Sequence, residues 1–246
     1  MSLPPGLSSL DAAALTWFVI CWVGYALVVD HTKLKRRSVA AVMSEYRVHW
    51  MIAMMQRDLR IIDTSIIGGI LQGVAFFAST AILLIGGLIA SLGASDEAIR
   101  VLTHLPGAAP ASVQSCEYKV LLMIAIFIYA FFKLAWSFRL FVNCSILVGA
   151  APLPPSPAEV VERYAASAAR ALSLASLHYN AGLRAFFFAL AALWWFLNPL
   201  AMLVATSIVI LVMYRREFHS RTLSTIVSSL ELTASATAVE RHRNDS

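Results

Sequence analysis

The chain has 246 residues, 59% of them hydrophobic and 13% charged, against about 45–50% apolar and ~25% charged in a soluble globular domain. That balance excludes an ordinary water-soluble protein and points to a membrane protein of single-domain length. The formal charge of +5 would suit nucleic acid, but Lys and Arg stand at the ends of apolar segments, where they fix topology and meet anionic headgroups. Membrane lipids are therefore the expected partner, and nucleic acid is not.

Residues 1–11 read as a short outside tail. Met1 to Thr32 contains no Lys or Arg, so the basic region of a signal peptide is missing and the first apolar segment, Ala12–Val29, is expected to remain as a crossing. Asp30, His31 and the basic run Lys33, Lys35, Arg36 and Arg37 follow it. Positive charge is retained on the cytoplasmic side, which puts the N-terminus outside and residues 30–62 inside. From Ser38 to Arg60 the pattern is an amphipathic helix on or beneath the inner surface, with Val39, Val42, Met43, Tyr46, Trp50 and Met54 on its apolar face.

The second crossing, Ile66–Leu92, contains no ionisable residue. At ~1.5 Å per residue it is long enough for a ~30 Å hydrocarbon layer. Gly69 and Gly73 form a GxxxG pair that Thr80, Gly87 and Ser91 continue at helical spacing, a face on which another helix can approach closely. Such a face serves either packing within the chain or self-association. Just before the crossing, Arg57, Asp58, Arg60 and Asp63 recur three apart, and Arg60 with Asp63 has the spacing of a self-neutralising pair. The acidic, Arg-poor loop that follows suits the outside, with turns at Pro106, Gly107 and Pro110.

The third crossing covers residues 120–149 and carries Lys133 and Arg139. Measured from Lys119 they lie ~21 Å and ~30 Å along the helix, in the inner half of the bilayer and near its inner boundary. They either snorkel to headgroups or form a buried positive site facing Asp58 or Asp63. A proline-rich linker follows; Ser156, Pro157 and Glu159 then match the N-cap, first residue and capping-box acid of an alanine-rich inner-side helix. The fourth apolar segment, Ala185–Met213, is interrupted by Asn198-Pro199. Two arms of 13 or 14 residues would each be too short to span, so one kinked crossing is preferred to a re-entrant hairpin. Residues 214–246 form the polar tail, helical from Arg215 to about Ala238.

The chain contains no phosphate-binding loop, dinucleotide fingerprint, HExxH, GxSxG or EF-hand spacing. Cys21, Cys116 and Cys144 lack CxxC spacing, and no histidine sits inside a crossing, so neither a metal, a haem nor another cofactor is expected. What remains is a polar constellation at the inner third of the bundle: Asp58, Arg60, Asp63, Lys133, Arg139, Asn143, Asn180 and Arg184. Groups this costly in hydrocarbon pair with one another or line a wet cavity, so the set reads either as a lock between helices or as a vestibule for an anion.

The segments WMIAMMQRDLRIIDTSIIGGIL, FFASTAILLIGGLI, IFIYAFFKLAWSFRLF and NAGLRAFFFALAALWWFLNP together resemble a domain-of-unknown-function family of small polytopic membrane proteins of proteobacteria and plants. The resemblance covers nearly the whole chain and implies a bacterial inner membrane or plant membrane protein, with no catalytic residue to carry over. The expected fold is therefore an all-α integral membrane protein with four transmembrane helices plus amphipathic inner-surface helices. Two non-catalytic functions fit it: a homo-oligomeric channel or transport-type protein for ions or small anions, and an accessory or scaffold subunit partnered by other membrane proteins.

Overall fold

Apolar runs separated by prolines and charge clusters leave the backbone no route to satisfy its hydrogen bonds in lipid except the helix. The structure, a computed structural model, describes residues 6–31, 38–93, 112–219 and 225–229, with only the backbone at residues 30 and 31. Its regular elements are α1 Ser9–His31, α2 Val39–Met55, α3 Ile61–Gly93, α4 Val113–Ala150, α5 Ala158–Leu193 and α6 Pro199–Phe218, with a 3-10 turn at Trp194–Phe196. The protein is an all-α membrane protein: α1, α3, α4 and α6 are each long and apolar enough to cross a bilayer.

Three long helices, α3, α4 and α5, are rods of 33, 38 and 36 residues, each ~50 Å or more in length. Neighbours in the chain run antiparallel. Arg60, just before α3, meets the carbonyls of Val148 and Ala151 at the end of α4. Tyr164 near the start of α5 donates to Leu147 O at 2.8 Å, and Ser137 Oγ on α4 donates to Ala175 O on α5 at 2.8 Å. The α4–α5 contact is close because α5 offers small residues: Ala165, Ala168, Ala169, Ala175, Ala181 and Gly182 are all buried.

The rods pass through two layers of core. One contains Phe18 and Tyr25 of α1, Ala81 of α3, Ile126 and Phe127 of α4, Phe188 of α5, Trp195, and Met202 and Met213 of α6. The other contains Met51, Met54 and Met55 of α2, Ile67 and Val74 of α3, Leu134, Phe141 and Cys144 of α4, and Leu172 and Ala175 of α5. α1 and α6 thus complete the first layer, and α2 the second.

Several expectations need correction. Residues 185–213 are not one kinked crossing. The alanine-rich helix and the first half of the fourth apolar segment are a single helix, α5, which ends at Leu193, and the chain then reverses. The direction follows from α1. Asp11 meets Trp195 and Phe18 meets Phe188, so α5 runs against α1, whereas Trp17 meets Ser207 and Cys21, one turn on, shares a groove with Ile210 and Tyr214, so α6 runs with it. Asn198 caps α6 by accepting from Ala201 N at 2.7 Å, and Pro199 occupies the first helical position, where its missing N–H costs nothing. The short-arm objection fails because the first arm need not be wholly apolar; its polar part lies in the α2 layer.

The capping expectation also shifts. α5 starts at Ala158 with Pro157 at the N-cap and no side-chain cap bond, while Ser156 Oγ donates back to Leu153 O. α4 begins at Val113, not residue 120, capped by Ser112 Oγ. The expected tail helix is broken: α6 carries Arg215 and Arg216 and stops at His219, and a separate helical turn at 225–229 reaches Tyr46 of α2, whose hydroxyl donates to Ile226 O at 3.1 Å. α2 itself buries Met51, Met54 and Met55, while Met43, expected on the apolar face, is exposed. The turns expected at Pro106, Gly107 and Pro110 and most of the tail lie outside the described residues.

Candidate functional site

The α2–α3 junction is where charge enters the core. α2 ends at Met55 and α3 starts at Ile61, so Trp50, Arg57, Arg60 and Asp63 converge from two helices and the link between them. Asp63 is fully buried. Its Oδ1 accepts from Trp50 Nε1 at 2.7 Å and from an Arg57 Nη at 2.8 Å. The i, i+3 pair of Arg60 with Asp63 does not form: Arg60 precedes the helix, and Arg57 takes the carboxylate instead. Arg60 turns the other way and donates to Val148 O at 3.3 Å, Ala151 O at 2.6 Å and Pro152 O at 2.6 Å. These belong to the last turn of α4 and the residues just after it, where carbonyls without intrahelical partners gather partial negative charge. The junction is thus tied to α4 by one guanidinium and to itself by another. Beside it, Arg47 donates to Ser173 Oγ on α5 at 3.4 Å, and burial lowers its pKa from the usual guanidinium range.

The rest of the expected constellation does not join this knot. Asp58, Asn143 and Asn180 are exposed. Lys133 is half-buried with its Nζ 5.5 Å from the Tyr129 ring, and Arg139 is exposed with its guanidinium 5.7 Å from the Trp136 ring. Arg184 is half-buried on α5, in the layer that α1 and α6 complete. Lys133 faces neither Asp58 nor Asp63, because α3 begins beside the far end of α4, roughly ten residues or more beyond Lys133.

Sequence reading missed a second knot, at the opposite end of the bundle. Asp11 in the first turn of α1 accepts from Ser8 N at 2.9 Å and Ser8 Oγ at 2.6 Å, and its other oxygen accepts from Trp195 Nε1 at 2.7 Å. The buried Lys119 places its Nζ 5.8 Å from the Trp195 ring. The signal was available: Ser8 followed three residues later by an acid is a capping-box spacing.

The glycine face does not show the packing within the chain that was one of its two readings. A Cβ added at Gly69, Gly73 or Gly87 would meet nothing within 4 Å, so among the described residues these glycines do not bring another helix close. α3 buries Asp63, Ile67, Val74 and Ala81, a seam on the side away from Gly69 and Gly87. Thr80 and Ser91 close their hydroxyls onto Phe76 O and Leu88 O of their own helix. Among the described residues, shallow apolar grooves lie between α1 and α6, lined by Trp17, Leu203, Ser207 and Leu211.

Comparison with curated proteins and with solved structures gave no match. A family model matches residues 13–222, from α1 through the end of α6, and with it the chain belongs to the family described as protein of unknown function, DUF599.

Proposed function

We propose that this protein is a non-catalytic accessory or scaffold subunit of a membrane protein complex, set in a bacterial inner membrane with the α2 layer on the cytoplasmic side. The observation that carries this reading is the employment of the polar constellation. The fully buried Asp63, with Arg57 and Arg60 beside it, fastens α2, α3 and α4 to one another. Lys133 and Arg139 rest on aromatic rings at separate heights. Groups so placed hold a shape; a transport site needs them on a shared path. Orientation follows from charge: Arg57, Arg60, Arg215 and Arg216 gather at the α2 end, the side where Lys and Arg are retained.

The test is the subunit composition of the protein extracted gently from its native membrane. Stoichiometric recovery with other membrane proteins, unchanged by Lys133→Gln, is the expected result. A closed homo-oligomer that conducts ions or small anions, and loses that flux on Lys133→Gln while staying assembled, overturns the scaffold reading in favour of a channel.

A further inference from the structure

We infer that an anionic phospholipid binds against α4 and α5 where the α2 layer meets the membrane, its phosphate held by Lys133, Arg139 and His178 beside Trp136. The inference needs that level of the bundle to lie at a membrane surface and does not depend on the scaffold role. The height follows from neighbouring bonds. Ser137 Oγ on α4 donates to Ala175 O on α5, and Ser173, two residues before Ala175, pairs at 3.0 Å with Ser44 in the first half of α2. Trp136 and His178 therefore stand where the α2 layer gives way to the apolar one, the level at which headgroups replace hydrocarbon. Trp136 is 49% exposed there, as befits an interfacial tryptophan.

Around that indole the chain gathers donors and supplies no carboxylate. The Arg139 guanidinium lies 5.7 Å from the Trp136 ring and the His178 ring 6.5 Å from it. Lys133, three residues before Trp136, is within electrostatic reach of His178. Neither Lys133 nor Arg139 makes an ion pair with a described residue, and the buried Nδ1 of His178 has no hydrogen-bond partner among them. The sequence explains the lack: no Asp or Glu stands between Asp11 and Asp30, Asp63 and Asp96, Glu117 and Glu159, or Glu162 and Glu217. The spans that pack together here thus offer no countercharge, and cations at a membrane boundary are costly without one.

A lipid phosphate supplies it. Lys133 and Arg139 are six residues apart, ~9 Å along α4, on either side of Trp136, and both long side chains can turn to a phosphate held at the height of the indole. From Trp136 into the apolar layer the same side of α4 continues through Phe132, Ile128 and Leu121, all exposed, a track for acyl chains. Cationic groups joined to an apolar track suit a diacyl phospholipid better than a soluble anion. Two uncompensated cations also select a lipid of net negative charge, because the ammonium of a zwitterionic headgroup is repelled by them.

The test is native mass spectrometry of the full-length protein in mild detergent, titrated with phosphatidylglycerol or with phosphatidylcholine of the same acyl chains. The protein should retain one phosphatidylglycerol at a severalfold lower lipid concentration than phosphatidylcholine. Lys133→Gln with Arg139→Gln should weaken that binding about tenfold or more and leave the unfolding temperature in detergent unchanged; Arg139→Gln alone, at an exposed residue, serves should the double variant not fold. Arg215→Gln with Arg216→Gln removes the same charge from exposed residues of α6 near the same surface and should leave binding unchanged. Equal weakening by the two pairs means general attraction to a basic surface and overturns the inference. Equal retention of the two lipids overturns it too, as does displacement of phosphatidylglycerol by inorganic phosphate, which makes the site one for a soluble anion. All are read on this chain alone, so the scaffold reading stands or falls separately, on subunit composition.

Discussion

Truncating Arg57 should destabilise the protein more than neutralising the carboxylate it holds. Asp63 is fully buried, and Arg57 is 43% exposed. In Arg57→Ala the carboxylate stays in the core with only Trp50 Nε1 to compensate it, and removal of one partner from a buried pair costs about 3–5 kcal/mol. Solvent already screens part of the Arg57 charge, which brings the expectation to about 2–3 kcal/mol. Asp63→Asn keeps an acceptor for Trp50 and releases Arg57 to water, so the loss is that of one charge-assisted bond, about 1–2 kcal/mol. The double variant should resemble Asp63→Asn alone, because the uncompensated charge that made Arg57→Ala costly is gone. Asp58→Ala, at an exposed residue of the same link, should change nothing. Equilibrium unfolding in lipid nanodiscs, followed by tryptophan fluorescence, measures all four. Additive losses in the double variant, or a loss in Asp58→Ala equal to that in Arg57→Ala, would refute this account of the junction.

Gly182→Ala should lose about 1–3 kcal/mol from overpacking, since its Cβ would stand 2.6 Å from Cγ of the fully buried Leu134; Gly149→Ala, with nothing within 4 Å, is the control in the same melting experiment. Asn198→Ala removes the cap that accepts from Ala201 N and should cost about 0.5–2 kcal/mol, read as a lower unfolding temperature. Arg60→Lys should lower the unfolding temperature in the same experiment, because one ammonium cannot reproduce the fork that reaches Ala151 O and Pro152 O together. Cysteines placed at Arg216 and Gln56 should react with an impermeant maleimide from one side of sealed vesicles, and one at Leu10 from the other; reaction of the Arg216 and Leu10 cysteines from a common side would contradict the reversal at residues 194–198.

What the sequence made legible followed from composition and period. The all-helical membrane class, α1 and the span of α3 were readable because their apolar runs are long and bounded by charge. α5 was not, because one helix carries two solvents' worth of sequence: Glu159, Arg163 and Arg170 in its first half and the run from Ala185 in its second. Hydropathy divides such a helix at the change of composition, while the backbone continues across it, since nothing between Ala158 and Leu193 breaks the hydrogen-bond ladder. Asn198-Pro199 was recognised as a break, but whether a break bends or reverses the chain depends on what receives the second arm. Here α1 receives it, through Trp17 and Ser207. In the same way the residues of the junction were found and their pairing was not. Spacing places Arg57 and Arg60 both within reach of Asp63, and only the end of α4, 88 to 92 residues along the chain, draws Arg60 away.

The two knots share a chemistry that explains their places. Each sets an indole N–H, which can only donate, 2.7 Å from a buried carboxylate, which when ionised can only accept: Trp50 to Asp63 at one end and Trp195 to Asp11 at the other. Apolar packing along a rod is tolerant of axial slip, since one methyl replaces another with little change in buried area. A single charge-assisted bond is not, because a slip of one helical turn, ~5.4 Å, takes the pair beyond hydrogen-bonding range and strands a charge. Asp11 with Trp195 sets the height of α1 and of the reversal before α6, and Asp63 with Trp50 sets the height of α2 against α3. The polar residues therefore fix register at the two ends of a core that is otherwise apolar.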